Sequence, residues 1–402
     1  MDRRTAVKSL ALAMLAAASQ IGPAAAADTI KVGEINSYTA LPAFTLPYRN
    51  GWQLALEEIN ASGGINGKKL EVISRDDGGK PGDAVTAANE LASRENVVML
   101  FGTFFSHIGL AVADFANQHK MVFIAAEPLT DAITWDKGNR YTFRLRPGTY
   151  MQVAMLVEQA VKLPAKKWAT VAPNYEYGHA AVKAFKEQMS ARRPDIQWVD
   201  EQWPALNKID GGATVQAIAR AEPEAIFNVT FGSDLTKFIR EGNTRGLFNN
   251  RAVVSLLTGE PEYLDPLGDE TPKGWLVTGY PWDQIKTAEH DTFLKAYQAK
   301  YKDYPRLGSV VGYVALKSVA ETLRKAGSTD TEKLIAAAEG LRVDTPLGPI
   351  LYRPEDHQST LGSFVGKTDQ KAGKGVMVDW TYANGAAYQP PAADVKKLRP
   401  QG

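Results

Sequence analysis

Only a few residues of this sequence have the types and spacing that catalysis requires. Asp76 and Asp77 are adjacent carboxylates at the end of a predicted strand, and together with Glu127 they could supply general acid–base chemistry. A solvated turn explains the aspartate pair more simply. No glycine-rich phosphate loop occurs, and no serine stands in a G-x-S-x-G turn. These residues favour binding over catalysis, so the chain is expected not to be an enzyme.

Metal-binding chemistry is not predicted either. The five histidines are scattered along the chain, none has H-E-x-x-H or H-x-H spacing, and the sequence contains no cysteine. We therefore expect no metal site and no cofactor.

Residues suited to binding a small molecule follow several predicted strands. Ligands of open α/β sheets lie beyond the carboxyl ends of the strands, where aromatic, hydroxyl and carboxylate side chains are typical of a pocket. Such side chains occur at 103–106, 127–128, 174–177, 231–233 and 258–260.

The elements that position these residues alternate along the chain between apolar runs and helical patterns. This alternation predicts parallel sheets covered by helices, arranged as two similar lobes with the second beginning after Arg146. Strands are predicted at 29–35, 69–74, 97–102, 121–126, 168–172, 196–201, 225–231, 252–257 and 275–280. Helices are predicted at 49–60, 82–94, 106–119, 151–161, 178–192, 214–221, 235–245, 289–302, 309–326 and 331–339. Little periodicity is found from residue 367 onward.

The first 27 residues have the pattern of an export signal. Arg3, Arg4 and Lys8 precede a short apolar run at 9–21, and small residues at 24–27 offer a cleavage site. Both a general secretory and a twin-arginine signal fit this pattern. Because the chain has no cysteine, no covalent lipid anchor is expected, and the mature protein is predicted to lie free in the periplasm.

Size and charge limit the remaining possibilities. The roughly 375 residues after the signal exceed what one core usually serves, so two domains are expected. The net charge is only +1 and no block of like charges occurs, which argues against a nucleic-acid partner.

A longer motif resembles a known family. Residues 54–72, LALEEINASGGINGKKLEV, resemble a signature of the leucine/isoleucine/valine-binding family of importer receptors, and the resemblance continues at 76–77, 175–178, 274–278 and 344–349. It implies a type I periplasmic binding protein, in which three crossings join two Rossmann-like lobes around a ligand cleft. The implied limits are 28–146 with 280–348 for lobe 1, and 147–279 with 349–402 for lobe 2.

The resemblance also implies site residues. Ser106 stands where family members hold the ligand carboxylate, and a helix N-terminus suits an anion. Phe44, Tyr177 and Phe231 match family ligand contacts. Phe105 is a further candidate aromatic contact, although it or the adjacent Phe104 is expected to pack into the core.

The sequence departs from the amino-acid receptors after the fourth strand. Residues 125–130 read AAEPLT, which places Glu127 where those receptors have small and hydroxyl residues. Glu260 best matches the acidic residue for the ligand ammonium, and Glu262 competes with it. Two carboxylates in one cleft favour a ligand with an ammonium or N–H group.

Together these features predict a monomeric receptor that captures an amino acid or amino-acid-like compound for an ABC importer. Its partners are expected to be the small-molecule ligand and the membrane permease subunits, with ATP bound elsewhere. Two alternatives stay open: a receptor for an aromatic acid or a small amide or urea, and an exported enzyme.

Overall fold

The computed structural model describes residues 29–400. The predicted signal peptide at 1–27 lies outside the described residues. Within residues 29–400, no helix has both the length and the apolar character needed to cross a membrane.

The first sheet contains five parallel strands. Its core strands are short apolar runs whose residues are all buried, MLFG and VFIA, as expected for a sheet covered on both faces. The strands are β1 (Thr29–Asn36), β2 (Lys69–Asp76), β3 (Met99–Gly102), β4 (Val122–Ala125) and β5 (Thr142–Arg144), in the order β2-β1-β3-β4-β5. The first four were predicted, and β5 was not.

Helices from two parts of the chain cover this sheet. The early ones are α1 (Pro42–Ala61), α2 (Pro81–Ser93) and α3 (Ser106–His119), and the late ones are α9 (Ala288–Tyr301), α10 (Leu307–Ala326) and α11 (Thr331–Ala338). Helix α1 begins before the predicted residue 49. Pro42 at its start is favourable, whereas Pro47 lies inside the helix, where it removes one backbone hydrogen bond.

Two glycines allow α1 and α10 to pack unusually closely. A Cβ atom on Gly51 would lie 2.0 Å from the carbonyl oxygen of Ser309, and one on Gly312 would lie 2.0 Å from that of Tyr48. A larger residue would therefore force the helix backbones apart. This contact fixes the N-terminus of α10 beside the cleft.

The second sheet contains seven strands in the order β14-β13-β10-β9-β8-β6-β7. Five are parallel: β6 (Lys167–Val171), β7 (Gln197–Gln202), β8 (Ala225–Asn228), β9 (Ala252–Gly259) and β10 (Leu276–Gly279). The helices of this lobe are α4 (Thr149–Ala160), α5 (Glu176–Arg192), α6 (Gly211–Arg220), α7 (Gly232–Thr244) and α8 (Pro261–Leu267).

An antiparallel hairpin completes the second sheet. Strands β13 (Ser363–Lys371) and β14 (Lys374–Ala383) are joined by Ala372 and Gly373, both with positive φ, which is the geometry of a tight two-residue turn. The sequence, which shows little periodicity from residue 367 onward, did not predict these strands. Eight of the ten residues of β14 are partly buried or exposed, so the strand carries little apolar periodicity. A short final helix, α12, spans Ala392–Leu398.

The chain passes between the lobes after β5 and after β10. Before the last passage, β11 (Arg342–Val343) pairs with β12 (Ile350–Leu351), and Ser359 donates its backbone N–H to the carbonyl of Arg144 at the edge of the first sheet. Strand β13 then enters the second sheet. We place the last passage between Ser359 and Ser363, later than the limit at residue 348 that the resemblance implies.

Candidate functional site

A small cavity lies between the two lobes. It is bounded by segments that follow β3, β4 and β5 of the first sheet and β6 and β8 of the second, and by Leu257 near the end of β9. This is where the carboxyl ends of parallel strands converge. The lining residues are Phe104, Ser106, Glu127, Leu129, Arg146, Tyr175, Tyr177, Phe231 and Leu257.

One arginine joins two buried carboxylates that come from opposite lobes. Arg146 donates to Oε2 of Glu127 at 2.9 Å and to Oε1 of Glu260 at 2.5 Å. The three side chains are at most 4% exposed. The remaining oxygens, Oε1 of Glu127 and Oε2 of Glu260, are buried without a hydrogen-bond partner. Glu127 lines the cavity, whereas Glu260 lies beside it and is linked to it through Arg146.

The charge balance of this group is negative. Desolvation raises the pKa of Glu127 and of Glu260 to about 7, and Arg146 opposes the rise in both cases. Burial alone would lower the pKa of Arg146, but the two carboxylates together raise it above its usual value. When all three groups are ionised, one negative charge has no counter-charge. An N–H donor or a cation near Glu127 would be stabilised there.

Glu262 has a different role from Glu260, its competitor in the sequence. Its two oxygens accept hydrogen bonds from the backbone N–H groups of Leu307, at 3.2 Å, and Gly308, at 2.7 Å. These are the first residues of α10, so Glu262 caps that helix across the lobes. Desolvation, with a contribution from the charge of Glu260, raises the pKa of Glu262 to about 8.

The cavity lining also includes an open helix N-terminus. Ser106 is the first residue of α3, and the preceding Phe105 provides no side-chain cap. The first N–H groups of a helix have no intrahelical partner, and the helix dipole favours an anion beside them. The Ser106 hydroxyl accepts from the backbone N–H of Thr130 at 3.2 Å, so its own hydrogen can still be donated to a ligand.

Aromatic rings from both lobes enclose the cavity. Phe104 faces Phe231 with ring centroids 6.2 Å apart, and Phe231 contacts Tyr177 at 5.9 Å. The Tyr177 hydroxyl is buried without a partner. Such rings suit an apolar or aromatic ligand portion, and the tyrosine hydroxyl adds a polar contact.

Two predicted aromatic residues lie next to the cavity rather than in its lining. Phe44 packs edge-on against Phe104 at 4.9 Å, and it lines a wider groove that opens on α7. Phe105 packs against Phe104 at 5.1 Å and against Tyr175 at 6.3 Å. Of the Phe104–Phe105 pair, the structure thus places Phe104 at the cavity.

Two residues at or next to the cavity have left-handed backbone conformations. Thr103, just before Phe104, has a φ of 62°, and the cavity residue Leu257 has a φ of 67°. Such left-handed conformations in non-glycine residues are unfavourable by about 1–3 kcal/mol each and cluster at functional sites. The Thr103 N–H bonds the carbonyl of Ile35, and the Leu257 N–H bonds the hydroxyl of Thr278. These bonds hold both residues in place.

The lobes touch beside the cavity as well as across it. The Thr130 hydroxyl, in lobe 1, donates to Oε1 of Glu176 at the start of α5 at 2.6 Å. Thr130 therefore contacts the opposite lobe and is not part of the cavity lining. With the arginine bridge and the aromatic contacts, this bond describes a closed arrangement of the lobes.

The aspartate pair considered for catalysis stabilises the turn in which it lies. Asp76 accepts the backbone N–H of Gly78 at 3.0 Å. Asp77 accepts the hydroxyl of Ser37 at 2.6 Å and the backbone N–H of Gly79 at 2.8 Å. Among residues 29–400, no three His, Cys, Asp or Glu side chains form a group that could hold a metal ion.

Four of the seven predicted site residues line the cavity, namely Ser106, Glu127, Tyr177 and Phe231. Glu260 joins them through Arg146, which was not predicted from the sequence. Arg146 stands alone after a three-residue strand, so no local pattern marks it. Its contacts with Glu127 and Glu260 in the structure identify it as part of the site.

Comparisons with known proteins show which sequences resemble this chain. A family model described as periplasmic binding protein matches residues 29–374. The Leu/Ile/Val-binding protein homolog 7 of Brucella abortus is 25% identical over 96% of this chain and 98% of its own length.

Solved structures of similar fold include two with known ligand classes. A solute-binding protein of an ABC transporter from Rhodopseudomonas palustris, in complex with 3,4-dihydroxybenzoic acid, has a TM-score of 0.79 and 26% identity, covering 89% of this chain and 98% of its own. The leucine-, isoleucine-, valine-, threonine- and alanine-binding protein of Brucella ovis, in a closed conformation, has a TM-score of 0.80 and 18% identity, covering 91% and 98%. At that identity, the second match concerns the fold alone.

Proposed function

Because this chain belongs to the periplasmic binding protein family, we propose that it is the substrate-binding protein of an ABC importer, which captures an amino acid or amino-acid-like compound by lobe closure. The family places such proteins in the periplasm. Residues 1–27 would be removed on export, and the mature protein would act as a monomer without a covalent membrane anchor.

The observation that carries the proposal is the buried, unpaired oxygen of Glu127, whose side chain lines the same cavity as Ser106 at the open N-terminus of α3. A zwitterionic compound matches both groups. Its ammonium would donate to Glu127 and to the Tyr177 hydroxyl, and its carboxylate would accept from Ser106 and the first N–H groups of α3. The aromatic rings would cover its side chain.

One specific observation favours a second ligand class. Phe104, Tyr175, Tyr177 and Phe231 form a ring-lined enclosure, and a similar protein has been solved with 3,4-dihydroxybenzoic acid. An aromatic acid would place its carboxylate at α3 and donate a hydroxyl to Glu127. A small amide or urea would fit the Glu127 end in the same way.

Neither proposal includes catalysis. The residues that line the cavity bind and enclose, and a released ligand would be chemically unchanged. Energy for transport would come from ATPase subunits, and the permease subunits would receive the ligand from the closed lobes. No nucleic-acid partner is proposed.

Ligand capture from a defined mixture tests the proposal. The purified mature chain is incubated with the twenty L-amino acids, benzoate, hydroxybenzoates, benzamide and urea, then separated from free compounds and analysed by native mass spectrometry. We expect one amino acid to be recovered unchanged at a ratio of about 1:1. Recovery of an aromatic acid would establish the second candidate. Conversion of a compound to a product, without retention of any, would support the enzyme alternative.

A further inference from the structure

Arg146 lies where it contacts both lobes, which a residue that only supports the structure of one lobe would not do. It follows β5, where the chain first leaves lobe 1, and its guanidinium reaches a carboxylate of each lobe. Glu127 follows β4 of the first sheet, and Glu260 follows β9 of the second. The arginine is therefore fully engaged only when the lobes are closed.

The hydrogen bonds around this group show how its charge is distributed. Arg146 satisfies one oxygen of each carboxylate and leaves the other oxygen of each without a partner. Glu262, a further buried carboxylate, has both oxygens bound to the start of α10. When Arg146, Glu127 and Glu260 are all ionised, this group thus carries one negative charge more than the arginine can balance.

We propose that Arg146 is a positioning and specificity-determining residue, which sets the charge that the ligand must carry. By neutralising one of two carboxylates, it makes the closed cavity complementary to a ligand end with a single positive charge. This proposal rests on the proposed function and narrows it to compounds with one ammonium or similar cationic group at that end.

The physical reason is that unbalanced charge in a dry cavity is strongly disfavoured. A neutral or anionic ligand end would leave one carboxylate without a counter-charge, and a doubly charged end would leave a cation in excess. Specificity of this kind comes from rejecting mismatched charge as much as from attracting the matched one. The arginine contributes through the carboxylates rather than by direct contact with the cationic end.

A cycle of three variants separates charge balance from structural support. Arg146→Met removes the cation and leaves two carboxylates in excess. Glu127→Gln leaves the arginine balanced by Glu260 alone. The double variant Glu127→Gln/Arg146→Met restores an excess of one carboxylate, although it lacks both members of the ion pair.

Binding is measured by calorimetry with the L-amino acid mixture as probe, followed by the single compound that binds. We expect Arg146→Met and Glu127→Gln each to weaken amino-acid binding at least about tenfold. In the double variant we expect affinity to recover by at least about threefold over either single variant. If Arg146 were only a structural contact, the double variant would show no such recovery, since removing a second contact would weaken binding further.

A ligand-free measurement tests the same balance independently. Because the chain has no cysteine, exposed Lys80 and Lys208 on opposite lobes can be changed to cysteine and carry spin labels. We expect Arg146→Met to shift the label distances towards an open cleft, because the two carboxylates that meet in the closed form lose the cation they share. The double variant should return the distribution towards that of the wild type.

The outcomes distinguish the two proposals. If the double variant is at least as open, and binds at least as weakly, as Arg146→Met, the inference about Arg146 is wrong. If the double variant closes again but the wild-type protein binds no amino acid, the proposed ligand class is wrong, while the charge balance of the cavity is supported.

Discussion

The direction in which affinity changes with pH should reveal the ligand class. Burial raises the pKa of Glu127 and of Glu260 to about 7, so both titrate within an accessible range. Tyr177, whose pKa burial raises above its usual value, stays neutral throughout. A ligand ammonium needs an ionised carboxylate. Its affinity should therefore fall as the pH falls through 7 and the free site takes up a proton.

The size of the effect follows from the ionised fraction. A single carboxyl with a pKa of about 7 is about 90% ionised at pH 8 and about 1% ionised at pH 5, so affinity should fall on the order of a hundredfold, or about 2.7 kcal/mol. An aromatic acid predicts the opposite sign, because a protonated Glu127 no longer repels an anion and can donate a hydrogen bond.

Titration calorimetry at several pH values, in buffers of different ionisation enthalpy, measures both the affinity and the protons released. The matched control is Glu127→Gln, which keeps the shape and an acceptor oxygen for Arg146. Its affinity should vary less than about tenfold over the same range, because the carboxylate proposed to contact the ligand no longer titrates. Two results would refute the reasoning. One is an affinity for an amino acid that stays constant from pH 5 to pH 8. The other is an affinity of Glu127→Gln that changes with pH as steeply as that of the wild type.

Four further predictions concern residues around the cavity. Ser106→Ala should weaken binding about five- to thirtyfold in calorimetry, since the backbone donors of α3 remain. Glu262→Gln should lower the free energy of unfolding by about 1–3 kcal/mol in urea denaturation, because its amide would face an N–H donor of α10. Gly312→Ala should lower it by about 1–3 kcal/mol or more in the same assay, because the added Cβ would meet the carbonyl of Tyr48. Desolvation raises the pKa of buried Glu34 to about 8. Its contribution to stability is therefore lost as the pH rises from 6 to 9, by about 2–3 kcal/mol, and Glu34→Gln should remove this slope in urea denaturation at each pH.

The repeating part of the fold could be predicted from the sequence because it depends on local patterns. Buried parallel strands such as Val122–Ala125 are apolar runs, and amphipathic helices separate them. Strand β5 was missed because three residues, one of them a buried arginine, carry no pattern. The hairpin of β13 and β14 was missed because its order depends on pairing with β10, a contact remote in the sequence.

The same distinction applies to the cavity. Ser106, Glu127, Tyr177 and Phe231 were found because a topological rule places strand ends together, whatever their sequence separation. The roles of Glu260 and Glu262 could not be distinguished by this rule. They lie on either side of Pro261, and the direction of a short helix decides which of them caps α10.

The position of Arg146 could not be predicted from the sequence, and the arginine changes the ligand charge that the two carboxylates imply. Its partners stand 19 and 114 residues away along the chain, so their meeting depends on lobe closure rather than on any local motif. Without the arginine, two carboxylates in one cleft argue for a strongly cationic ligand. With it, they argue for a single positive charge, which is what the ammonium of an amino acid supplies. The residue that narrows the ligand class is thus one whose effect can be read only after its two acidic partners have been placed around it.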